Sequence, residues 1–545
     1  MERLARLLLE QKQQRQLAAS ASCPLHPLTG AGEDRLSRCH SLSGYFWSVL
    51  PHPFIQSLIS KHGKAAYNGL REPLKLSKTS NQDFDCTVAA DIQTACLARK
   101  LIRLAVALMY MDSTSSEHIQ VLQLNSSAME TAQRYAEAAR HLTSQNELLL
   151  SPAGLEAVMM EGHYSIHWGQ IFEGGMAFRK ALCIAQRIKL IDRAAVDDDE
   201  GIAARIAYFR LLGANRSLSL HCGEPCEDVE ESAIQPINEA QDQSVGYLSR
   251  VNVRIWRRII ARNVRIQRAW KSGSDREAVL NDELLETLHI DREMKQAMLA
   301  VPACWWQLSQ VSNPEPEAGT ELNFTRLNTS KDHYNTVVLT HLPYVLYAST
   351  TTSSTPFIYS KMAAVSASRE VLLRFPLYEQ YKHVPASYRA LEQKTFIAAV
   401  VLLLAHMHSH RSTAFDAIEH ERPKDLNALQ GTIESMESIF ARDRHHPGSE
   451  CARILRRMME IEEEMARGMP YYIAFANELL ESHCDLSPTG VLDVRIPYFG
   501  VVRIARGMSA PDAEFLDLDG ALHSPSWPRW DHEEIFEYDV QGFAC

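Results

Sequence analysis

Apolar residues recur at helical spacing along most of this chain, and that periodicity constrains the fold more than any other feature. Such spacing gives each helix an apolar stripe that is buried against neighbouring helices. Ser151 followed by Pro152 is favourable chemistry for a helix start, and so is Asn125. We predict helices over these ranges: 86–111, 126–142, 155–168, 171–190, 200–220, 241–271, 275–300, 332–348, 359–374, 386–408 and 449–466.

Strand signals are few in comparison. The best lies in residues 491–504, where Val494, Ile496 and Val502 are β-formers and where Pro497 and Gly500 interrupt the pattern. The sequence therefore predicts an all-α fold, a multi-helix body with a small β-hairpin near the C-terminus.

The length and composition divide the chain into three parts. A chain of 545 residues exceeds one compact core, so we expect two to three subdomains or one extended helical body. We predict a short helix and linker over 1–41, the all-helical body over 42–507, and an acidic, aromatic tail over 508–545.

Charge and cysteine content restrict the partners and the compartment. The net charge of −11 argues against attraction of the whole chain to nucleic acid. The 11 cysteines are scattered and lack a secretory context, which is typical of reduced thiols. The longest apolar runs, 101–111 and 396–405, are shorter than the ~20 residues that a bilayer requires. We expect a soluble intracellular protein without membrane contact.

Two neighbouring segments, 169–190 and 200–225, carry the most specific pattern. Their characteristic residues are Gly169, Ala177, Ala185, Leu190, Arg205, Arg216, Gly223 and Pro225. Together the segments resemble the regulatory middle domain of fungal binuclear zinc-cluster transcription factors. In that family a repeat-like helix precedes an acidic residue, an arginine-rich helix and a Gly-x-Pro turn. Residues 340–346, 359–372 and 496–502 resemble later segments of the same domain.

The resemblance implies a nuclear transcription regulator that controls a metabolic gene set, such as a secondary-metabolite cluster. It implies that the chain binds the transcription machinery or a DNA-binding partner, and that it contacts DNA only indirectly. It also implies a small-molecule inducer. A homodimer is left open. Ala203 and Ala204 stand where the family commonly has arginines, which leaves Arg205 as the expected buried cation.

The DNA-reading module of that family is absent from this sequence. The module needs paired Cys-x2-Cys motifs to hold two zinc ions, and this chain has no Cys-x2-Cys. We therefore expect no cofactor in this chain, with zinc present only if a cluster N-terminal to it exists.

A helix over 241–271 carries a basic stripe. Its arginines are Arg250, Arg254, Arg257, Arg258, Arg262 and Arg265, followed by Arg268. A basic stripe can bind phosphates, an acidic partner or an import receptor. The alternative is internal pairing with acidic loops such as 197–199 and 224–231. We expect Trp256, Ile259 and Ile260 to be buried and the arginines to face outward.

The tail over 508–545 alternates acidic and aromatic residues. The aromatic residues proposed for an activation segment are Phe515, Trp527, Trp530, Phe536 and Tyr538. Such alternation is typical of amphipathic activation segments, in which acids keep the aromatic rings in solution. The alternative is an ordered strap whose tryptophans pack on the body.

Enzyme signatures are missing from the sequence, which has no Gly-x-Ser-x-Gly elbow, no P-loop and no His-Glu-x-x-His. His406, His408 and His410 alternate, but on a helix their directions diverge, so we do not predict a metal site. We predict a protein that is not an enzyme and has no catalytic, cofactor-binding or metal-binding residues. Two alternatives to the regulator stay open: a co-regulator or scaffold that binds a separate DNA-binding protein, and an all-α enzyme of unrecognised type.

Overall fold

The computed structural model describes residues 92–109, 128–144, 149–226, 244–307, 317–351, 357–380, 389–412, 418–441, 449–476 and 491–507. Predictions for the first 91 residues and for the tail after residue 507 lie outside this range, as does Asn125. The helices are α1 (Thr94–Met109), α2 (Ala128–Thr143), α3 (Pro152–His167), α4 (Ile171–Arg187), α5 (Leu190–Ala194), α6 (Asp199–Cys222), α7 (Ser244–Lys271), α8 (Arg276–Ala300), α9 (Glu317–Thr350), α10 (Ile358–Arg374), α11 (Arg389–Arg411), α12 (Arg422–Ala441) and α13 (Glu450–Ala466).

The strands form one small antiparallel sheet near the C-terminus. They are β1 (Tyr471–Ala476), β2 (Val491–Ile496) and β3 (Gly500–Arg506), in the order β1–β3–β2. The register pairs Ile473 with Ile504 and Val494 with Val502. The all-α prediction with a small β-hairpin is confirmed: β2 and β3 are the hairpin, and β1 is a third strand that was not predicted.

Most predicted helices agree with the structure to within a few residues. One of them is part of a longer helix, and one further helix was not predicted. The helix predicted over 332–348 is the end of the longer α9. Helix α12 was not predicted from the sequence. Pro423 lies in the first turn, where its missing N–H has no helical partner to lose.

The apolar core consists of two clusters. An N-terminal cluster is built mainly from α1 to α6, and a C-terminal cluster from α7 to α13 with the sheet. Helix α6 contributes Leu218 and Cys222 to the first cluster and Leu220 to the second. Trp256 of α7 packs against both. Helices α6 and α7 therefore form the shared wall between the two halves of the core.

Candidate functional site

The first signature segment, 169–190, forms the turn after α3, helix α4 and the start of α5, and α4 packs closely on α3. Gly169 lies in the turn between them with φ 79°, in the left-handed region that favours glycine. Ala177 and Ala185 are buried on α4, and Leu190 is half-buried at the start of α5. A Cβ on Gly174 would lie 2.6 Å from Cγ1 of Ile166, so the small residues let the two helices approach.

The second signature segment places its buried cation at Arg216, not at Arg205 as expected. Arg205 is partly exposed; its guanidinium donates to the carbonyl oxygens of Ala194 and Val196 and pairs with Asp197. The Arg216 side chain is buried, with a relative exposure of 1%, and donates to the carbonyl oxygen of Val253 on α7 at 3.0 Å. Arg216 lies about three helical turns after Arg205 on α6, and it ties α6 to α7.

The end of the second segment contacts a later signature segment. Gly223 caps α6 with φ 73°, and a Cβ on it would lie 2.7 Å from the backbone nitrogen of Tyr498. Tyr498 lies in the turn between β2 and β3, and its hydroxyl is 2.7 Å from the Ser219 carbonyl oxygen and 2.8 Å from that of Glu224. Two segments that are far apart in sequence thus meet at the C-terminus of α6, beside Pro225.

The basic stripe of α7 is covered by an acidic face of α8. Guanidinium groups and carboxylates pair in register: Arg254 with Glu293 at 3.5 Å, Arg258 with Glu286 at 2.8 Å and Glu293 at 2.7 Å, and Arg265 with both Glu283 oxygens at 2.6 Å. Arg250 and Arg257 are half-buried. The internal partners are therefore acids of α8, and the acidic loop 197–199 pairs instead with arginines of α5 and α6.

Arg262 contradicts the expectation that the arginines of α7 face outward. Its side chain is fully buried and donates to the carbonyl oxygen of Thr340 at 2.6 Å and to that of Leu339 at 3.3 Å. Pro343 lies inside α9 and has no N–H for the carbonyl four residues earlier, which is that of Leu339. Arg262 supplies the donor that this proline removes. Burial lowers the pKa of Arg262 to about 10.

Trp256 also differs from its prediction. Ile259 and Ile260 are buried as expected, but Trp256 is only partly buried. Its indole nitrogen donates to the Thr336 hydroxyl at 2.9 Å, which links α7 to α9 at the boundary between the two core clusters.

A buried histidine–carboxylate pair lies next to the Arg262 contact. His341 of α9 is hydrogen-bonded through Nε2 to Asp291 of α8 at 3.3 Å, and Tyr359 donates to the other Asp291 oxygen. Burial alone raises the pKa of Asp291, but the hydrogen bonds from His341 and Tyr359 hold it at about 2. Within the described residues, Nδ1 of His341 has no hydrogen-bond partner. The sequence analysis did not identify this pair.

The three alternating histidines of α11 point to three different places. Their partners are Asp425 of α12 for His406 at 2.9 Å, Lys361 of α10 for His408 at 2.9 Å, and Glu462 of α13 for His410 at 2.6 Å. Bidentate guanidinium groups of Arg369 and Arg422 contact the same two carboxylates. The histidines thus tie α11 to its neighbours rather than to one another.

Metal and membrane signals are both missing from the part of the chain that the structure describes. No group of three or more potential metal ligands comes together there. None of the helices in those ranges combines the length and the apolar character needed to cross a bilayer. The tail aromatic residues, Phe515, Trp527, Trp530, Phe536 and Tyr538, lie outside those ranges.

Comparison with known proteins gives relatives but no family model and no solved structure. No protein-family model matches the chain, and no solved structure matches it. A "Dehydrocurvularin biosynthesis regulator" of Alternaria cinerariae is 27% identical over 441 residues, which is 79% of this chain and 55% of that protein. The protein of the same name from Aspergillus terreus is 27% identical over 477 residues, covering 84% of this chain and 61% of that protein.

A third relative has a different name and a similar extent. "Transcription factor sdnS" of Sordaria araneosa is 24% identical over 431 residues, which is 77% of this chain and 52% of that protein. The chain thus spans little more than half the length of the curated relatives that it matches. It is similar, over about four-fifths of its residues, to proteins named as transcription factors and biosynthesis regulators.

Proposed function

We propose that this chain is the regulatory body of a fungal transcription regulator of the zinc-cluster type, acting in the nucleus on a secondary-metabolite gene set. The observation that carries the proposal is the match of about four-fifths of the chain to proteins named as regulators. Two of those names specify the biosynthesis of a metabolite, dehydrocurvularin. For this chain, the metabolite is left unassigned.

The DNA reader is proposed to lie outside these 545 residues, either in a further segment or in a partner protein. The absence of Cys-x2-Cys from the sequence supports this, since the zinc module needs such pairs. The ion pairs between α7 and α8 support it as well. Phosphate binding requires unpaired Lys and Arg, and the acids of α8 occupy Arg254, Arg258 and Arg265.

The remaining partners belong to the same proposal. The transcription machinery is proposed to bind the tail over 508–545, whose aromatic residues a coactivator groove can bury. A small-molecule inducer is proposed to bind between helices of the body, where ligand sites of helical proteins form. Homodimerisation would add a second copy of both surfaces.

A tethering experiment tests the proposal. The full chain is fused to a heterologous DNA-binding domain and expressed in a filamentous fungus that carries a matching reporter gene. We expect reporter transcription to change severalfold relative to the DNA-binding domain alone. The matched control carries Trp530→Ala, Phe536→Ala and Tyr538→Ala, which removes the proposed coactivator contacts and leaves the helical body unchanged.

The outcomes separate the regulator from its alternatives. A well-expressed fusion that leaves the reporter unchanged contradicts the proposal. A chain that instead co-purifies with an endogenous DNA-binding protein, and that is recruited to promoters only in its presence, is a co-regulator.

A further inference from the structure

The turn between β2 and β3 crosses the boundary between the two halves of the core. Tyr498 belongs to the C-terminal cluster, as does Phe499 beside it. The end of α6 that it contacts contributes Leu218 and Cys222 to the N-terminal cluster and Leu220 to the C-terminal cluster. This contact therefore joins the last strands of the described chain to a helix some 270 residues earlier.

The backbone of this turn adopts a conformation that tyrosine rarely takes. Tyr498 has φ 67°, in the left-handed region, where the Cβ of a bulky residue crowds the backbone. Such a residue persists only where its surroundings over-determine it, and such residues cluster at switch regions. The opposing residue, Gly223, has φ 73° and no room for a Cβ. Both sides of the contact are thus specialised for close backbone approach.

The Tyr498 hydroxyl completes the C-terminus of α6. The Ser219 carbonyl accepts the cap amides of Gly223 and Glu224, the latter at 3.0 Å, and the Tyr498 hydroxyl is a further donor to it from outside the helix. The single hydroxyl proton is shared between the carbonyl oxygens of Ser219 and Glu224. Burial raises the pKa of Tyr498 well above its ordinary value, so the hydroxyl stays protonated and keeps its donor role. An ion pair between Arg179 of α4 and the Glu224 carboxylate holds the same loop from the other half.

We propose that the turn Pro497–Phe499 is a releasable clasp that holds the two halves of the helical body together at the end of α6. In the closed state the Tyr498 hydroxyl bridges the halves. In the open state the turn withdraws, the left-handed backbone at Tyr498 relaxes, and the end of α6 opens. The left-handed backbone at Tyr498 is the strained element of this contact, and such strain lowers the cost of opening it, as two-state elements require.

Hydrogen exchange on the purified full chain tests the clasp. The variant Tyr498→Phe removes only the hydroxyl that bridges the halves. We expect amides over 219–226 and 491–506 to exchange about tenfold faster or more, because the opening equilibrium loses a buried hydrogen bond. Exchange within α1 and α12, which pack on other helices, is expected to stay the same.

Tyr378→Phe is the matched control. Tyr378 is equally buried and its hydroxyl donates to Asn328 at 3.3 Å, but it lies within the C-terminal cluster alone. Its loss is expected to accelerate exchange only around residues 376–380. Unchanged exchange at 219–226 in Tyr498→Phe overturns the clasp, and so does a uniform rise across all helices. A change confined to 491–506 also overturns it, since the halves then do not communicate through the turn.

A second variant approaches the contact from the other side. Gly223→Ala introduces a Cβ where the Tyr498 backbone lies and is expected to give the same local pattern of faster exchange. A pattern that differs from that of Tyr498→Phe contradicts the clasp. These experiments use purified protein and no DNA or reporter, so their outcome is independent of the proposed role in transcription.

Discussion

Replacing Arg262 with methionine should be among the most destabilising single changes in α7. The methionine fills similar space but donates no hydrogen bond to Leu339 and Thr340. Leaving the Leu339 carbonyl without a donor costs about 1–3 kcal/mol. The Thr340 carbonyl keeps the helical N–H of Tyr344, so it loses one additional hydrogen bond, which is worth about 0.5–1.5 kcal/mol. Among the described residues, Arg262 contacts no acid, so its charge is buried without a carboxylate partner. Removing that charge is favourable and offsets part of the loss. We expect a net loss of about 2–4 kcal/mol.

The assay is urea unfolding at pH 7, followed by the helical circular dichroism signal. The matched control is Arg265→Met, three residues along the same stripe. The Arg265 side chain is 52% exposed and pairs with Glu283 at the surface, so its loss should cost less than about 1 kcal/mol. An Arg262→Met variant no less stable than Arg265→Met would refute the structural role assigned to Arg262.

The role of Pro343 gives a sharper test. Pro343→Ala restores an N–H four residues after Leu339, which can then satisfy the Leu339 carbonyl without Arg262. The loss caused by Arg262→Met should therefore be smaller in the Pro343→Ala background, by about 1 kcal/mol or more. Equal losses in the two backgrounds would mean that Arg262 does not compensate for the proline.

Three further predictions follow from the structure and the sequence. Burial alone raises the pKa of Glu462, but hydrogen bonds from His410 and Arg422 hold it at about 2, below the ordinary 4.5. The ionised Glu462 carboxylate stabilises the fold above pH 4.5, and this stabilisation is lost as the pH falls towards 2. The Glu462→Gln variant should therefore lose less stability between pH 5 and pH 3 than the parent chain, measured by urea unfolding. Trp256→Ala should cost about 3 kcal/mol in the same titration, the low end for tryptophan, because the ring is only partly buried; a loss under 1 kcal/mol would contradict its place between the clusters. Purified chain should hold no stoichiometric zinc, and two zinc ions per chain by elemental analysis would overturn the expectation of no cofactor.

Helix positions were predictable from sequence where the signals are local. The hydroxyl of Ser151 accepts a hydrogen bond from the Gly154 amide at 3.1 Å, the capping contact that its position before Pro152 predicts. Strand β1 was not predicted, although Tyr471, Ile473 and Phe475 favour strands. Its register is set by β3, some 30 residues later. Local sequence patterns predict the helices, whereas pairing with a distant strand determines where a short strand forms.

The candidate site was less predictable, because its partners are distant. Helical periodicity placed Arg262 on the arginine-bearing side of α7, but α8 and α9 pack against that side and bury Arg262. The carbonyl groups that Arg262 contacts are 77 and 78 residues away, so the local pattern holds no information about them. One signal was present in the sequence: Pro343 within a helical pattern demands an outside donor. The buried cation was assigned to Arg205 rather than to Arg216 for a similar reason, since the residue that Arg216 contacts lies on α7.

The transcript profile of the organism that encodes this chain tests the central claim most directly. RNA is sequenced from a strain that lacks the coding sequence, from the parent, and from the deletion strain with the gene restored. We expect transcripts of a co-located set of biosynthetic genes to change at least severalfold in the deletion strain and to return to the parental level on restoration. Unchanged transcripts together with the loss of a metabolite would contradict it, because that result identifies an enzyme.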